Sequence, residues 1–361
     1  MRHIVFTISE LGGGGAERVV SVWASALAAQ GMDVSIVLMH RQEDEYAVDP
    51  RVNVVALGET REAYLSMMYP QRLMKLRKTI QGLRPTTLIN FLPRMQVMVY
   101  IATLGMKLYR IETIRNNPWK IYPSKNWESV IWNRCFEKAD RVIVQTSGQR
   151  DFFSKKVDEK SVLIPNPINE VYTQSIYKEY SDTVRRFIAA GRLHPQKNYP
   201  MMIKAFAIAC QNNKNIYLDI YGGGDVNYTK KLESLISSLG MTDRIFLRGK
   251  TVNLVNEYRS GDAYIMSSDY EGMPNALAEA MASELVCVST DCPTGPEDLI
   301  IDGDTGYLVP VGDINALARK IITISGMAAQ ERKRMTEKAR EFVLQFCSEE
   351  NSLQQLLQIL R

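Results

Sequence analysis

Two carboxylates, Glu271 and Glu279, stand eight positions apart in the stretch SSDYEGMPNALAEAMA, residues 267–282. On one continuous helix that spacing would separate them by roughly 12 Å of rise. Gly272 and Pro274 lie between them. Proline has no N–H and biases the preceding Met273 away from helical angles, so no helix runs through from Glu271. The stretch therefore predicts a loop carrying Glu271 and a helix entered at about Asn275, with Glu279 one turn inside. Folded that way, both carboxylates can address one ligand. The N–H groups of Asn275, Ala276 and Leu277 at the helix start would meet anionic oxygens between them. A plainer alternative leaves Glu279 as a charge that favours the helix dipole.

Two cations accompany the carboxylates. Arg192 and Lys197 flank a proline turn in AAGRLHPQKNYP (189–200), at the end of a β-type run. Arg offers a fork of donors and Lys a point charge, so the two together suit a diphosphate. They would also stabilise charge growing on a departing diphosphate without a metal. In isolation the pair reads equally as a solvated basic loop. A third anion candidate is the glycine cluster of ELGGGGAERVV (10–20), where a first strand turns into a first helix. Exposed backbone N–H groups there suit an anion or a closely approaching ligand; a tight turn without a ligand is the competing reading. A dinucleotide fingerprint fails on register, because Glu17 or Arg18 falls where its last glycine belongs. The second strand ends in His40 and Arg41 rather than in an acid.

The elements that must position these residues follow one grammar, used twice. IVFTI (4–8), VSIVLM (34–39), VNVVAL (52–57), TTLINFL (86–92), RIETI (110–114), RVIVQT (141–146) and SVLIP (161–165) are short apolar runs separated by helix-length segments. After a polar Pro/Asn-containing stretch near 166–180 the pattern restarts with RRFIAAG (185–191), IYLDIYG (216–222), RIFLRG (244–249), DAYIMS (262–267), LVCVST (285–290) and GYLVP (306–310). Runs of this kind predict parallel sheets covered on both faces. The expected architecture is α/β, with two Rossmann-like, doubly wound parallel-sheet domains facing a central cleft and ligands at the carboxyl ends of the strands.

Composition narrows the function classes. The 361 residues, 45% of them hydrophobic and 23% charged, are enough for two domains. No apolar run reaches the length of a membrane-spanning helix, and MRHIVFTIS reads as a first strand rather than a signal peptide. Five cysteines, mostly far apart, read as reduced structural thiols, and three histidines argue against a histidine-rich metal centre. The net charge of +4 is uneven: residues 1–168 carry 23 Lys/Arg against 16 Asp/Glu, and eight basic residues but no acidic one lie between Ala63 and Ile111. No module or aromatic platform for nucleic acid accompanies that charge. In SMMYPQRLMKLRKTIQGLR (66–84), basic and apolar residues interleave at helical spacing. Two readings stay open. Arg72, Lys75, Arg77 and Lys78 face an anionic membrane, or an ordinary surface helix turns its leucines and methionines to the core.

In order and spacing, GGAERVV, ADRVIVQTSGQRDFF, VLIPNPI, GRLHPQKN, DIYGGGD, SSDYEGMPNALAEAMA and STDCPTGPEDLI together resemble the retaining glycosyltransferases of family 4, which have the GT-B fold. The similarity runs over nearly the full chain. It implies an acceptor-binding domain over 1–168, onto which a last helix at 348–361 packs back, and a donor-binding domain over 169–347. It implies that Gly14 and Gly15 admit the donor diphosphate and the acceptor, and that Arg192 and Lys197 bind that diphosphate. Glu271 would contact hydroxyls of the transferred sugar and Glu279 the ribose, Gly272 would belong to the donor-binding set, and Asn275, Ala276 and Leu277 would supply backbone contacts. Glu271, Arg192 and Lys197 would carry catalysis. Where many family members have a histidine, IETIRNNP offers Arg115 and Asn116 as acceptor-side candidates.

The expected activity is transfer of a hexose or N-acetylhexosamine from a UDP-sugar to a glycan or polyprenyl-diphosphate-linked acceptor in surface-glycan assembly. No metal and no further cofactor is expected. The expected location is the cytoplasm, peripheral to the membrane. The rivals are a sugar-nucleotide epimerase of similar architecture, disfavoured by the paired glutamates and the scarcity of histidine, and a non-catalytic assembly subunit with a degenerate site.

Overall fold

The computed structural model describes residues 2–122, 127–174 and 178–361. The chain divides into two compact units, Met1–Pro167 with Glu349–Arg361, and Ile168–Ser348. Of the polar stretch expected to link two domains, residues 175–177 lie outside the described residues.

The first unit is built on seven strands: β1 (His3–Ile8), β2 (Asp33–His40), β3 (Asn53–Gly58), β4 (Thr87–Asn90), β5 (Tyr109–Thr113), β6 (Arg141–Val144) and β7 (Ser161–Leu163). Their order is β3-β2-β1-β4-β5-β6-β7. Every pairing is parallel, with Val5 opposite Ser35 on one side and Leu88 on the other. The central strands bury both faces, which is why they read as continuous apolar runs rather than alternating ones. The helix Gly15–Ala29 buries Val19, Val20, Trp23, Ala24 and Leu27, a stripe at helical spacing. Against it lies the C-terminal helix Glu349–Ile359, with Leu356 and Ile359 in the same apolar cluster. The Trp23 indole N–H donates to Ser352 Oγ at 2.9 Å, so the one polar edge of that buried ring has a partner.

The second unit has six strands: β8 (Arg186–Ala190), β9 (Tyr217–Tyr221), β10 (Ile245–Gly249), β11 (Ala263–Met266), β12 (Val286–Thr290) and β13 (Tyr307–Val309). They are ordered β10-β9-β8-β11-β12-β13, again all parallel. In this sheet the order reverses between β8 and β11. The loops leaving those two strands therefore diverge to opposite faces and leave room at their carboxyl ends, where doubly wound sheets bind ligands. Arg192 and Lys197 follow β8; Glu271 follows β11.

The interleaved basic segment forms one helix, Tyr69–Leu83, with Pro70 in its first turn, and a separate short helix, Arg61–Ser66, ends before it at extended Met67. Leu76 and Ile80 are buried, and Leu73 and Leu83 pack against the same cluster. Three of the four basic candidates for a membrane-facing role have carbonyl partners here. Arg72 donates to the carbonyls of Leu65 and Met67, Lys75 to Leu57, and Arg77 to Ala102 and Leu104, at 2.6–3.0 Å. These side chains satisfy carbonyls at the ends of neighbouring elements, and Lys78 alone of the four is exposed without such a bond among the described residues.

Candidate active site

At the carboxyl ends of β8 and β11, Lys197 Nζ lies 2.6 Å from Glu271 Oε1. The chain leaves β8 and makes a single 3-10 turn, Pro195–Lys197, before entering the helix Tyr199–Asn212. Asn198 joins the two in a left-handed conformation (φ 45°, ψ 45°), which asparagine tolerates, and its side chain accepts the Met201 N–H. Its amide also donates to Asp269 Oδ1 at 2.7 Å. Further bonds tie this turn to the loop after β11. Ser267 Oγ donates to the Lys197 carbonyl at 2.8 Å, the Asp269 N–H to the Gln196 carbonyl at 2.8 Å, and Gln196 Nε2 to the Tyr270 carbonyl at 2.8 Å. Lys197 and Glu271 thus sit on two loops that hold each other in register.

The Glu271 carboxylate is buried, which costs free energy unless it is paired and hydrogen-bonded. Ser268 Oγ donates to Oε1 at 2.5 Å and Gln196 Nε2 reaches Oε2 at 3.4 Å. Below it, Thr294 Oγ1 donates to the Glu271 carbonyl. Thr294 has φ 67°, a conformation costly for a β-branched residue, and this bond helps hold it there. Next to it Gly295 has φ 104°, and a Cβ on it would overlap the Gly272 carbonyl and lie 2.7 Å from Pro274 Cδ. Only glycine lets the loop after β12 lie this close under the Glu271–Pro274 turn.

The break at Pro274 has the expected consequence: the helix is Asn275–Ala282, and Glu279 lies buried on it. One expectation is corrected. The Leu277 N–H is not open to an anion, because it donates to the Pro274 carbonyl at 3.0 Å in a tightened first turn that also takes the Ala278 N–H at 3.2 Å. The Ala276 N–H has no such bond among the described residues. Arg192 is exposed, and its guanidinium forms no ion pair among the described residues. The two expected cations therefore differ: Lys197 is matched by Glu271, and Arg192 stands open.

The remaining candidates lie in the first unit. Gly14 precedes the helix that Gly15 opens, in an extended conformation and with no side-chain cap. The Glu17 side chain folds over Gly14 so closely that a Cβ there would collide with it. Arg115 stacks on Phe91 (4.4 Å) and Trp23 (4.9 Å) and donates to Asn166 Oδ1 at 3.1 Å. Burial lowers its pKa to about 9. The Asn116 side-chain oxygen accepts the Asn117 N–H at 2.7 Å, and Asn117 in turn caps the short helix Pro118–Ile121. Arg115 and Asn116 thus have structural partners of their own.

Sequence reasoning missed Ser268, Gln196, Thr294 and Gly295, the residues that fix Glu271. The signal was available as hydroxyls and glycines flanking the motif in SSDYEG and TDCPTGPED, but hydroxyls in loops are common and their partners are set by tertiary contact. All five cysteines are free and buried, and burial pushes the thiol of Cys292, near Glu271, up to about 12. It stays a thiol at neutral pH and offers no nucleophile.

Comparison with known proteins adds an independent line. Residues 13–171 match the model of Glycosyltransferase Family 4, and residues 177–342 that of Glycosyl transferases group 1. The chain is 28% identical over 327 residues to a Campylobacter jejuni enzyme, GalNAc-alpha-(1->4)-GalNAc-alpha-(1->3)-diNAcBac-PP-undecaprenol alpha-1,4-N-acetyl-D-galactosaminyltransferase, covering 89% of this chain and 88% of that one. It is 26% identical over 251 residues to an uncharacterized glycosyltransferase of Methanocaldococcus jannaschii, covering 64% of this chain and 61% of that one. In fold it is similar to a point mutant of S. aureus TarM, solved in complex with Fondaparinux, alpha-GlcNAc-glycerol and UDP. The TM-score is 0.81 at 15% identity, over 99% of both chains. With the two sheets, these matches make the fold GT-B, and the chain belongs to the family 4 and group 1 glycosyltransferases.

Proposed function

We propose that this chain transfers a hexose or N-acetylhexosamine from a UDP-sugar, with retention of anomeric configuration and without a metal, to a lipid-linked or polysaccharide glycan of the bacterial surface. The observation that carries the reading is the Lys197–Glu271 pair at the switch point of the second sheet, with Glu279 on the helix that follows. Arg192 and Lys197 hold the diphosphate, and Glu271 and the Gly272 backbone meet hydroxyls of the sugar. Glu279 takes the ribose, and the N–H groups of Asn275 and Ala276 approach the phosphates. Gly14 and Gly15 let the donor and the acceptor come close to the first helix. The UDP in the TarM complex supports the donor, and the undecaprenol-diphosphate in the Campylobacter relative's name supports a lipid-linked acceptor.

In the reaction the bond from the anomeric carbon to the diphosphate oxygen breaks, and its electron pair leaves with UDP. The acceptor oxygen bonds to that carbon on the same face and gives its proton to the departing phosphate oxygen. The protein contributes position and fixed positive charge, with Arg192 and Lys197 offsetting the charge that grows on the leaving group. No described helix is long and apolar enough to cross a membrane, and we place the enzyme at the cytoplasmic membrane surface.

The test is a panel of sugar nucleotides incubated with lipid-linked and free glycan acceptors, following nucleoside diphosphate release with and without EDTA. One UDP-sugar should turn over, EDTA should leave the rate unchanged, and Lys197→Ala should lower it by about 10-fold or more. Interconversion of the sugar without an acceptor would make the chain an epimerase, and no turnover at all would make it a scaffold.

A further inference from the structure

The first unit contains a cavity of about 360 Å³ between the helices Arg61–Ser66, Tyr69–Leu83, Pro93–Ala102 and Trp127–Lys138. Its walls are Tyr64, Tyr69, Met98 and Trp132 with smaller apolar neighbours, and its two charged lining residues are Arg72 and Arg94. Among the described residues no carboxylate or amide side chain lines it, so no acidic side chain in its wall opposes an anion.

Three features show what it does suit. Arg72 is held in place, with Nε and Nη2 on the carbonyls of Met67 and Leu65 and its guanidinium 4.7 Å from the Tyr64 ring centroid. Arg94 is exposed, and its side chain has no hydrogen bond or ion pair among the described residues. Trp132 is nine-tenths buried and is part of the cavity wall. No acidic residue lies between Ala63 and Ile111, so an anion here meets no opposing charge from that stretch. Apolar walls beside unopposed cations call for a ligand that is anionic at one end and hydrocarbon at the other.

A volume of 360 Å³ is at the small end for ligand sites and takes only part of a long lipid. Leu65 and Tyr69, which line the cavity, are 53% and 47% exposed, and Met68, next to Tyr69 in sequence, is 66% exposed. That is an apolar surface over which the rest of a chain can run. We propose that this cavity binds the phosphate-bearing end of a polyprenyl chain, the lipid carrier of the acceptor, with the phosphate on Arg72 and Arg94 and the first isoprene units against Tyr64, Met98 and Trp132. The assignment rests on the reading of the chain as a glycosyltransferase with a lipid-linked acceptor.

Calorimetric titration of the full chain with farnesyl phosphate tests it, with farnesol, inorganic phosphate and dihexanoyl phosphatidate as comparison ligands and UDP as a separate titrant. Farnesyl phosphate should bind at least 10-fold more tightly than each comparison ligand, because only it brings both the charge and the branched chain. Met98→Trp, which fills the cavity, should abolish the binding, and Arg94→Glu should weaken it at least 10-fold. UDP affinity should stay unchanged in both variants. Arg94 is a surface residue, so its variant decides the matter if Met98→Trp does not fold. Farnesyl phosphate binding that ignores Arg94→Glu, or phosphatidate bound as tightly, overturns the proposal. Loss of UDP binding by the unaltered chain would instead count against the donor reading and leave the cavity result standing on its own.

Discussion

Glu112 shows how a single buried carboxyl can govern stability. It is at the carboxyl end of β5, and its Oε1 accepts from Asn90 Nδ2 at 2.7 Å while Oε2 has no partner among the described residues. Burial raises its pKa to about 8, against the pull of Asn90 and of the Arg110 and Lys160 charges. The direction of the pH effect follows. Below the ordinary value of 4.5 the folded and unfolded chains both carry the proton, so the group has no effect. Between there and about 8 the unfolded chain ionises and the folded one does not. Stability therefore falls as pH rises through that window, by up to about 1.4 kcal/mol per pH unit. Glu112→Gln keeps an acceptor for Asn90 and removes the titration. Its melting temperature should rise relative to the parent chain between pH 5 and pH 8, by an amount worth a few kcal/mol. A difference that stays flat across that range would contradict the burial argument. The Lys197–Glu271 pair is the opposite kind of buried charge, matched by a cation, and removing either partner leaves the other uncompensated.

Among the elements, the turn at Gly272–Pro274 shows what a sequence can and cannot make legible. Proline's missing N–H and its constraint on Met273 are local facts, so the helix start at Asn275 and the loop position of Glu271 were readable. So were the thirteen strands, because burial on both faces writes a continuous apolar run. What supports Glu271 was not readable. Ser268, Gln196 and Thr294 act through contacts between loops far apart in sequence. The tightened first turn that occupies the Leu277 N–H is a detail of packing rather than of propensity. The carbonyls that Arg72, Lys75 and Arg77 in the basic stretch 66–84 cap were not readable for the same reason, since they lie on neighbouring elements. Gly295→Ala tests the support directly. Its Cβ meets the Gly272 carbonyl at a positive φ, so the turn carrying Glu271 must shift. We expect turnover to fall by about 10-fold or more, as a misplacement near 1 Å can cost far more, while thermal melting shows a folded chain. Unchanged kinetics would mean the loop after β12 does not position Glu271.

At the level of the molecule, the two units repeat one architecture and carry different chemistry. The second places a cation–carboxylate pair and a glutamate-bearing helix at the reversal of its sheet. The first has its excess positive charge, its glycine turn and an apolar cavity with two arginines. Segments distant in sequence complete each unit. The C-terminal helix Glu349–Ile359 returns to the first, joined by Trp23 and Ser352, and Arg340 donates to the carbonyls of Tyr172, Thr173 and Gln174 within the second. Every residue role proposed for the second unit depends on where the donor's diphosphate binds. A crystal structure with UDP measures that most directly. It should show the diphosphate within about 3 Å of Lys197 Nζ and the Arg192 guanidinium, with the ribose hydroxyls on Glu279. A diphosphate bound away from the carboxyl ends of β8 and β11 would contradict it.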